Sequence, residues 1–206
     1  MAEATELHRV LIGDSGASLG ELEVRLGRYL VLDERRAEGG PRLEQGIARI
    51  RARGLEAHLW LGVGHYFLAV IALEEGRPQA TSEELDQAMS VLQGCSQASA
   101  EWFLRWSHER RVEISGALGG SEAIEAAVTC YFEHLNEDRA CFYDSPWGVS
   151  LMRAEARAWR STGDLVRAGA LLREAVEGAR THWDSNVGVA SMEAEWEQLK
   201  TLTQGQ

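Results

Sequence analysis

Cysteine is scarce in this sequence, and the few cysteines follow no recognised structural pattern. The 206 residues include three, Cys95, Cys130 and Cys141. An odd number without a C-x-x-C pair argues against both a disulfide framework and a zinc site. We therefore expect three plain thiols that are buried or half-buried.

Motifs that identify metal proteins and nucleotide-dependent enzymes are also missing. The chain contains no H-E-x-x-H, P-loop or G-x-G-x-x-G sequence, and none of its six histidines follows a glutamate by three residues. The first three motifs bind zinc, nucleoside phosphates and dinucleotides, and the Glu-x-x-His pair is typical of di-iron helical bundles. The sequence therefore predicts no metal, no cofactor and no enzymatic activity.

Long uncharged apolar runs are absent, and basic residues are outnumbered. No run reaches the ~18 apolar residues of a membrane-spanning helix, and the N-terminus lacks the regions of a signal peptide. The 32 acidic and 21 basic residues give a formal net charge of -11, which disfavours nucleic acid because that binding depends on basic residues. We expect a soluble cytoplasmic protein without membrane insertion.

Residues 10–16 end in the sequence Gly-Asp-Ser-Gly, which resembles the nucleophile motifs of two hydrolase classes. GDSL hydrolases need a D-x-x-H pair near the C-terminus to activate the serine, and this chain has none. Trypsin-like proteases are β-barrels, whereas this chain shows almost no strand alternation. We interpret the four residues as a chance match or an N-terminal turn.

The clearest positive signal is a pair of amphipathic helices in the C-terminal third of the chain. Met152, Ala156 and Trp159 recur at spacings of four and three, which places them on one helix face. Gly163 interrupts this helix, and Asp164 suits the start of the next one. The stripe of that second helix consists of Leu165, Ala168, Leu172, Ala175 and Ala179. The pair resembles a tetratricopeptide repeat.

A second stretch resembles the same family. Residues 60–67 read W-x2-V-G-x2-F, close to the W-x2-L-G-x2-Y signature of a tetratricopeptide first helix. Thr81 and Glu84 have the spacing of a capping box for the partner helix. Ala88 and Leu92 then match the small and large residues that the family places on that second helix.

Other helix boundaries are predicted from glycine, proline and capping residues. The first helix begins at Ser18 and runs to about Glu38, where Gly39 and Gly40 end it. Pro41 suits the first position of the next helix, where its missing N–H costs nothing. The first helix carries Leu22, Leu26, Tyr29, Leu30 and Leu32, and later boundaries are predicted at Gly119-Gly120 and Ser145-Pro146.

The resemblance implies an all-α fold of stacked antiparallel helical hairpins. Its form would be a tetratricopeptide-like α-solenoid with about four hairpins and a C-terminal capping helix. The length of the chain favours a single domain over residues 1–206. Within it we predict a flexible N-terminal segment at 1–17 and an internal loop at 136–145.

The repeat register also predicts a surface that binds a partner. Arg153, Arg157 and Arg160 line the face that forms the inner wall of the superhelix in this family, where they would clamp a carboxylate or an acidic segment. The alternative is a solvated face paired with Glu155 and other acids. The same wall includes His58 and His65, which we interpret as ordinary polar or packing residues, because their spacing of seven does not suit one metal ion.

Trp147 and Trp183 stand in or beside predicted turns, and we expect both to be exposed partner contacts. The predicted function is a non-enzymatic protein interaction module, either a scaffold or adaptor or a chaperone-like protein that holds one client. Self-association is also open, as is the charge of the client. The alternative is a helical bundle, enzymatic or not, with Trp102, Trp106 and Tyr131 lining a closed pocket for a small molecule.

Overall fold

The computed structural model describes residues 17–55, 58–135, 142–143, 145–183 and 186–204, and the regular secondary structure in these ranges is helical throughout. Cys141, the Gly-Asp-Ser-Gly sequence, nearly all of segment 1–17 and most of loop 136–145 lie outside the described residues. The helices are α1 (Ala17–Leu32), α2 (Arg36–Arg51), α3 (Leu59–Glu74), α4 (Pro78–Gln93), α5 (Ala98–Leu135), α6 (Pro146–Thr162), α7 (Leu165–His182) and α8 (Asn186–Gln204).

Residue contacts divide the chain into two compact units, Met1–Ser107 and His108–Gln206, with the boundary inside α5. In the first unit, α1 packs against α2 and α3 packs against α4, and α3 also contacts both α1 and α2. In the second unit, α6 packs against α7 and α7 packs against α8. The predicted all-α fold of neighbouring helix pairs is therefore confirmed.

Helix α3 forms the centre of the first unit because it is apolar on every side. Eleven of its sixteen residues are buried, including both glycines of residues 60–67. Tyr66 and Phe67 contact each other edge to face at 5.2 Å between ring centroids, and Tyr66 also lies 5.8 Å from Phe103. A helix without a polar face has to be enclosed by its neighbours, and α1, α2 and α4 enclose this one.

Glycines bring the backbones of α1 and α2 into direct contact. A Cβ atom placed on Gly46 would lie 2.6 Å from the carbonyl oxygen of Gly20, and one placed on Gly20 would lie 3.0 Å from that of Gly46. Gly27 and Gly39 have the same reciprocal relation, at 3.0 Å in each direction. Each helix therefore supplies two glycines, seven residues apart, at the points where no side chain fits.

This close approach explains why the predicted end of the first helix is wrong. Helix α1 ends at Leu32, and the left-handed conformation in the turn belongs to Glu34, at φ 61°. Gly39 lies inside α2 because its missing side chain is needed for contact with α1. Pro41 is likewise inside α2 rather than at its first position, at the cost of one helical hydrogen bond.

The boundaries that depend on local chemistry agree better with the sequence. Gly163 ends α6 in the left-handed conformation at φ 87°, and the side chain of Asp164 accepts a hydrogen bond from the backbone N–H of Arg167 at 3.0 Å.

The predicted capping box on α4 is wrong, because Thr81 lies one turn inside the helix. Its buried hydroxyl donates to the carbonyl oxygen of Arg77 at 2.9 Å.

Other predicted boundaries are also confirmed. Ser145 caps α6 by accepting from the backbone N–H of Gly148 at 3.2 Å, and Pro146 is the first helical residue. Gly119 and Gly120 interrupt α5 with non-helical backbone angles. These two glycines divide α5 into two arms, as the sequence predicts.

Candidate functional site

Two of the predicted clamp arginines, Arg153 and Arg157, converge on one carboxylate of their own chain. The Nε atom of Arg153 donates to Glu195 at 3.1 Å, and the Nη2 atom of Arg157 donates to the same carboxylate at 2.6 Å. Glu195 lies on α8, whereas both arginines lie on α6. A second arm of the network runs from Arg157 to Glu113 at 2.7 Å, and Arg110 also pairs with Glu113. This set of side chains is called the Glu195 network below.

The electrostatics of the Glu195 network indicate that it joins helices within the second unit. Burial alone would raise the pKa of Glu195, but hydrogen bonds from Arg157 and Arg153 outweigh it and lower the pKa to about 2. Burial opposes ionisation of Glu113 in the same way, and the charges of Arg110 and Arg157 lower its pKa overall. Both carboxylates are therefore ionised and matched by arginine charges at neutral pH.

The third predicted arginine and the predicted acidic partner lie elsewhere. Arg160 is exposed and is outside the Glu195 network. Glu155 is buried and accepts a hydrogen bond from the hydroxyl of Tyr143. Arg153 and Arg157 are thus paired with acids, namely Glu195 and Glu113.

Replacing Glu195 by glutamine is expected to lower the free energy of unfolding of the second unit by about 1–2 kcal/mol at pH 7, after allowance for solvent screening of this half-buried group. The folded-state pKa lies below the ordinary value, so the contribution is complete above about pH 4.5 and is lost as the pH falls toward 2. Urea unfolding at a series of pH values measures it.

The matched control is Glu197→Gln on the same helix, which removes an equal charge from an exposed pair with Lys200. We expect that change to alter stability by less than about 0.5 kcal/mol. Equal effects of the two substitutions at pH 7 would show that the Glu195 network contributes nothing beyond net charge.

In the first unit, His65 joins three helices through both of its ring nitrogens. It is 5% exposed. An Nη2 atom of Arg51 lies 3.1 Å from Nε2, and a carboxylate oxygen of Glu84 lies 2.7 Å from Nδ1. Because guanidinium can only donate, Nε2 must accept and the proton resides on Nδ1, where it is donated to Glu84. His65 therefore links α2, α3 and α4 through these two contacts.

His58 has a different structural role, at the start of the same helix. It is the N-cap of α3, and its Nδ1 atom accepts a hydrogen bond from the backbone N–H of Trp60 at 3.3 Å. Such a bond satisfies one of the free N–H groups at a helix start. Both histidines thus have partners within the chain, as their interpretation as polar or packing residues requires.

The predicted exposure of Trp147 and Trp183 is wrong. Both indoles are half-buried against the core of the second unit. The Nε1 atom of Trp183 donates to the carbonyl oxygen of Pro146 at 3.4 Å, and its ring covers Gly188 so closely that a Cβ there would lie 2.7 Å away. Indoles contribute large apolar area, and here that area is used mainly in packing.

The aromatic residues of the alternative pocket belong to both units. Trp106 packs edge to face on Phe103 at 5.1 Å between ring centroids, within the first unit. Tyr131 is fully buried in the second unit, 5.6 Å from Phe142. Trp102 is exposed. The rings of Trp106 and Tyr131 therefore each belong to an aromatic cluster within their own unit.

A surface groove between α1 and α2 was not predicted from the sequence. Its volume is about 710 Å³, and its lining residues are Leu26, Tyr29, Leu30, Asp33, Arg35, Glu38, Pro41 and Arg42. Tyr29 is 54% exposed, and Leu32, three residues further along the same helix, is 61% exposed. The signal for this groove was an apolar stripe on the first helix too wide to be buried on one face. This site is called the α1–α2 groove.

The charges around the groove are paired within the chain. Arg35 donates to both carboxylate oxygens of Glu38, at 2.9 and 2.7 Å, and lies 3.9 Å from Asp33. Arg42 donates to the buried Glu23 at 3.2 Å. The side chain of Arg35 hydrogen-bonds Glu38, and this bond and its charge lower the pKa of that carboxyl. An occupant therefore meets an apolar floor bordered by balanced charges.

A pair of stacked histidines lies in the second unit. The rings of His108 and His134 have centroids 4.7 Å apart, and Tyr131 meets His108 edge to face. His108 is 6% exposed, and its Nε2 atom has no hydrogen-bond partner among the described residues. Burial, followed by the charge of His134, lowers the pKa of His108 to about 4. This pair makes the stability of the unit sensitive to acid.

The described ranges contain neither a metal site nor a membrane-spanning helix. Within them, no three His, Cys, Asp or Glu side chains are grouped so as to hold a metal ion. None of the described helices combines the length and apolar character needed to cross a bilayer. Comparison with family models, curated proteins and solved structures finds no match to this chain.

Proposed function

We propose that this protein is a non-enzymatic protein interaction module that holds a peptide or helix of a partner in the α1–α2 groove. The observation that carries the proposal is the groove itself, an open depression with Leu26, Tyr29, Leu30 and Pro41 among its lining residues. Exposed apolar surface with a polar border is typical of protein contact sites.

The packing of α3 against the same hairpin supports a helical occupant. Helix α3 contacts both α1 and α2, so this hairpin already accepts a third helix on part of its surface. A further amphipathic helix could lie along the α1–α2 groove with apolar residues at positions i, i+3, i+4 and i+7. A partner of this kind would extend the packing pattern of the first unit.

We also propose that the hairpins are tetratricopeptide-like repeats forming a solenoid. In support, Gly64 of the signature sequence packs closely on Ile47. A Cβ atom placed on Gly64 would lie 2.8 Å from the side chain of Ile47. Ala168 and Leu172 are buried in α7, where the family places its small and large residues. A scaffold, an adaptor and a client-holding chaperone all use such surfaces.

The predicted partner contacts on the inner wall remain part of this proposal, but only as secondary contacts. A carboxylate from a partner would have to share Arg153 and Arg157 with Glu195, which already accepts from both. Arg160 is exposed and available without such exchange. The α1–α2 groove is therefore the first surface to test.

Site-specific photo-crosslinking tests the proposal. We expect p-benzoylphenylalanine at Tyr29 to form a crosslink to a specific protein in native lysate, because this side chain lines the groove. The same probe at Val166, which is 83% exposed in the second unit, is the matched control. Mass spectrometry identifies the product, and a Leu30→Glu change should abolish it.

Crosslinking that is absent at both positions, or equal at both, would contradict the proposal. Loss of the product in the Leu30→Glu variant counts only if circular dichroism shows an intact helical fold, because Leu30 is half-buried. Pro41→Glu, at an exposed residue in the lining of the groove, is the second variant for that case.

A further inference from the structure

We infer that the α1–α2 groove binds a second copy of this chain, so that the protein forms a two-fold dimer through its first hairpin. This inference rests on the proposed function and names a partner for the same groove. Two features support the dimer, namely the set of exposed apolar residues on the hairpin and the order of the charged residues along the groove. Two-fold contacts use the same surface twice, and that surface must therefore be complementary to itself.

The apolar part of the surface satisfies this requirement. Tyr29 and Leu32 are more than half exposed and are three residues apart on α1, so they project from neighbouring positions. Pro41 is exposed on α2 across the groove. When two such surfaces meet, Tyr29 of one copy can enter the groove of the other, and both apolar sets leave water together.

The charged part is self-complementary as well. From the turn into α2, the groove residues alternate in sign as Asp33, Arg35, Glu38 and Arg42. In an antiparallel contact whose two-fold axis passes near residue 37, Arg35 faces Glu38 of the partner subunit. The same axis brings Arg42 opposite Asp33 of the partner subunit. Opposite charges therefore meet at each of these positions.

Exchange of the Arg35–Glu38 pair between copies costs little, whereas Arg42 stays paired with the buried Glu23. Arg35 and Glu38 are both more than half exposed, and exposed pairs contribute only weakly to the stability of a chain. In the dimer the same side chains become partly desolvated, where their interaction is stronger. The groove and its border are small compared with the ~800 Å² that each partner buries in a standard interface. We therefore expect a dissociation constant of roughly 1–100 µM.

Sedimentation velocity of the full chain between micromolar and submillimolar concentration tests the inference. The wild type should shift from monomer to dimer, and the shift should weaken with added salt. A Tyr29→Glu, Leu32→Glu double variant should raise the dissociation constant at least tenfold, because it places charges on the apolar contact. The Val166→Glu variant, which changes an even more exposed apolar residue of the second unit, should dimerise as the wild type does.

Charge reversal tests whether the ion pairs form between copies. Arg35→Glu and Glu38→Arg should each dimerise more weakly than wild type when alone, since each places like charges opposite one another. Mixing the two variants should restore association, because every reversed charge then faces its complement. Pairs made only within one chain cannot be restored by mixing.

A wild type that remains monomeric at submillimolar concentration would overturn the inference. So would a Val166→Glu variant as defective as the double variant, or a mixture of the charge-reversed variants that stays monomeric. None of these results would contradict the proposed function, because a heterologous protein crosslinked at Tyr29 would still show partner binding in the groove. The substituted residues are exposed, and circular dichroism of each variant confirms that the fold is retained.

Discussion

The Gly46→Ala variant should unfold at a temperature roughly 10–20 °C below wild type, corresponding to a loss of about 3 kcal/mol in the first unit. The added Cβ would lie 2.6 Å from the carbonyl oxygen of Gly20 and 2.8 Å from the backbone nitrogen of Val24. Both are backbone atoms of α1, so no side-chain rotation relieves the contact. The helices must separate, and the buried residues between them lose packing.

Helix propensity alone predicts that Gly46→Ala would increase stability, which is the opposite of the expected result. The experiment therefore decides between the two effects. Alanine is about 1 kcal/mol more favourable than glycine in a helix interior. Gly40, in the same helix, provides the matched control because a Cβ there would meet only Ile71, at an ordinary 3.7 Å. We expect Gly40→Ala to stabilise the protein by about 0.5–1 kcal/mol.

Thermal and urea unfolding followed by circular dichroism compare the two variants with wild type. Opposite signs would establish that the glycines of α1 and α2 serve close packing. If the Gly46→Ala variant were as stable as the Gly40→Ala variant, the close backbone contact between α1 and α2 at Gly46 would be contradicted. The double variant should be nearly additive only if Gly40 lies away from the contact.

Acid should destabilise the second unit by about 3 kcal/mol between pH 6.5 and pH 4 through His108. The pKa of this histidine is lowered to about 4 in the folded protein by burial and by His134. The unfolded chain therefore binds a proton in this interval that the folded chain does not, and stability rises with pH across it. Below about pH 4 both states are protonated and this contribution becomes constant.

The pH dependence of urea unfolding measures the effect in wild type and in His108→Gln. The variant should lose most of the slope between pH 4 and 6.5, because glutamine does not titrate. His182→Gln, outside the stacked pair, is the control and should keep the wild-type slope. A wild-type stability that is flat over this interval would contradict the burial of a neutral His108.

These two predictions depend on features that differ greatly in how visible they are in the sequence. The ends of α6 could be predicted because Ser145, Pro146 and Gly163 act on backbone groups within a few residues of themselves. The same reasoning failed at Gly39, which the sequence presented as a helix terminator. Its role is set by Gly27, on the neighbouring helix.

The candidate sites show the same division. Arginines at spacings of four and three were rightly placed on one face of a helix, since that geometry is local. Their partner Glu195 lies 38 residues beyond Arg157, and no local pattern selects it among so many acids. The half-buried state of Trp183 and the exposure of Tyr29 depend in the same way on which neighbours cover each ring.

The sequence by itself determined the helical class, the interruptions at Gly119-Gly120 and Gly163, and the capping of α6 and α7, because each follows from periodicity or from hydrogen bonds within a turn. Only the tertiary structure decided which glycines serve helix contact, which carboxylate receives Arg153 and Arg157, and which apolar residues remain exposed in the α1–α2 groove. Those choices depend on helices that are distant in the chain and adjacent in space. Their energies come from packing and desolvation, which a one-dimensional pattern does not specify.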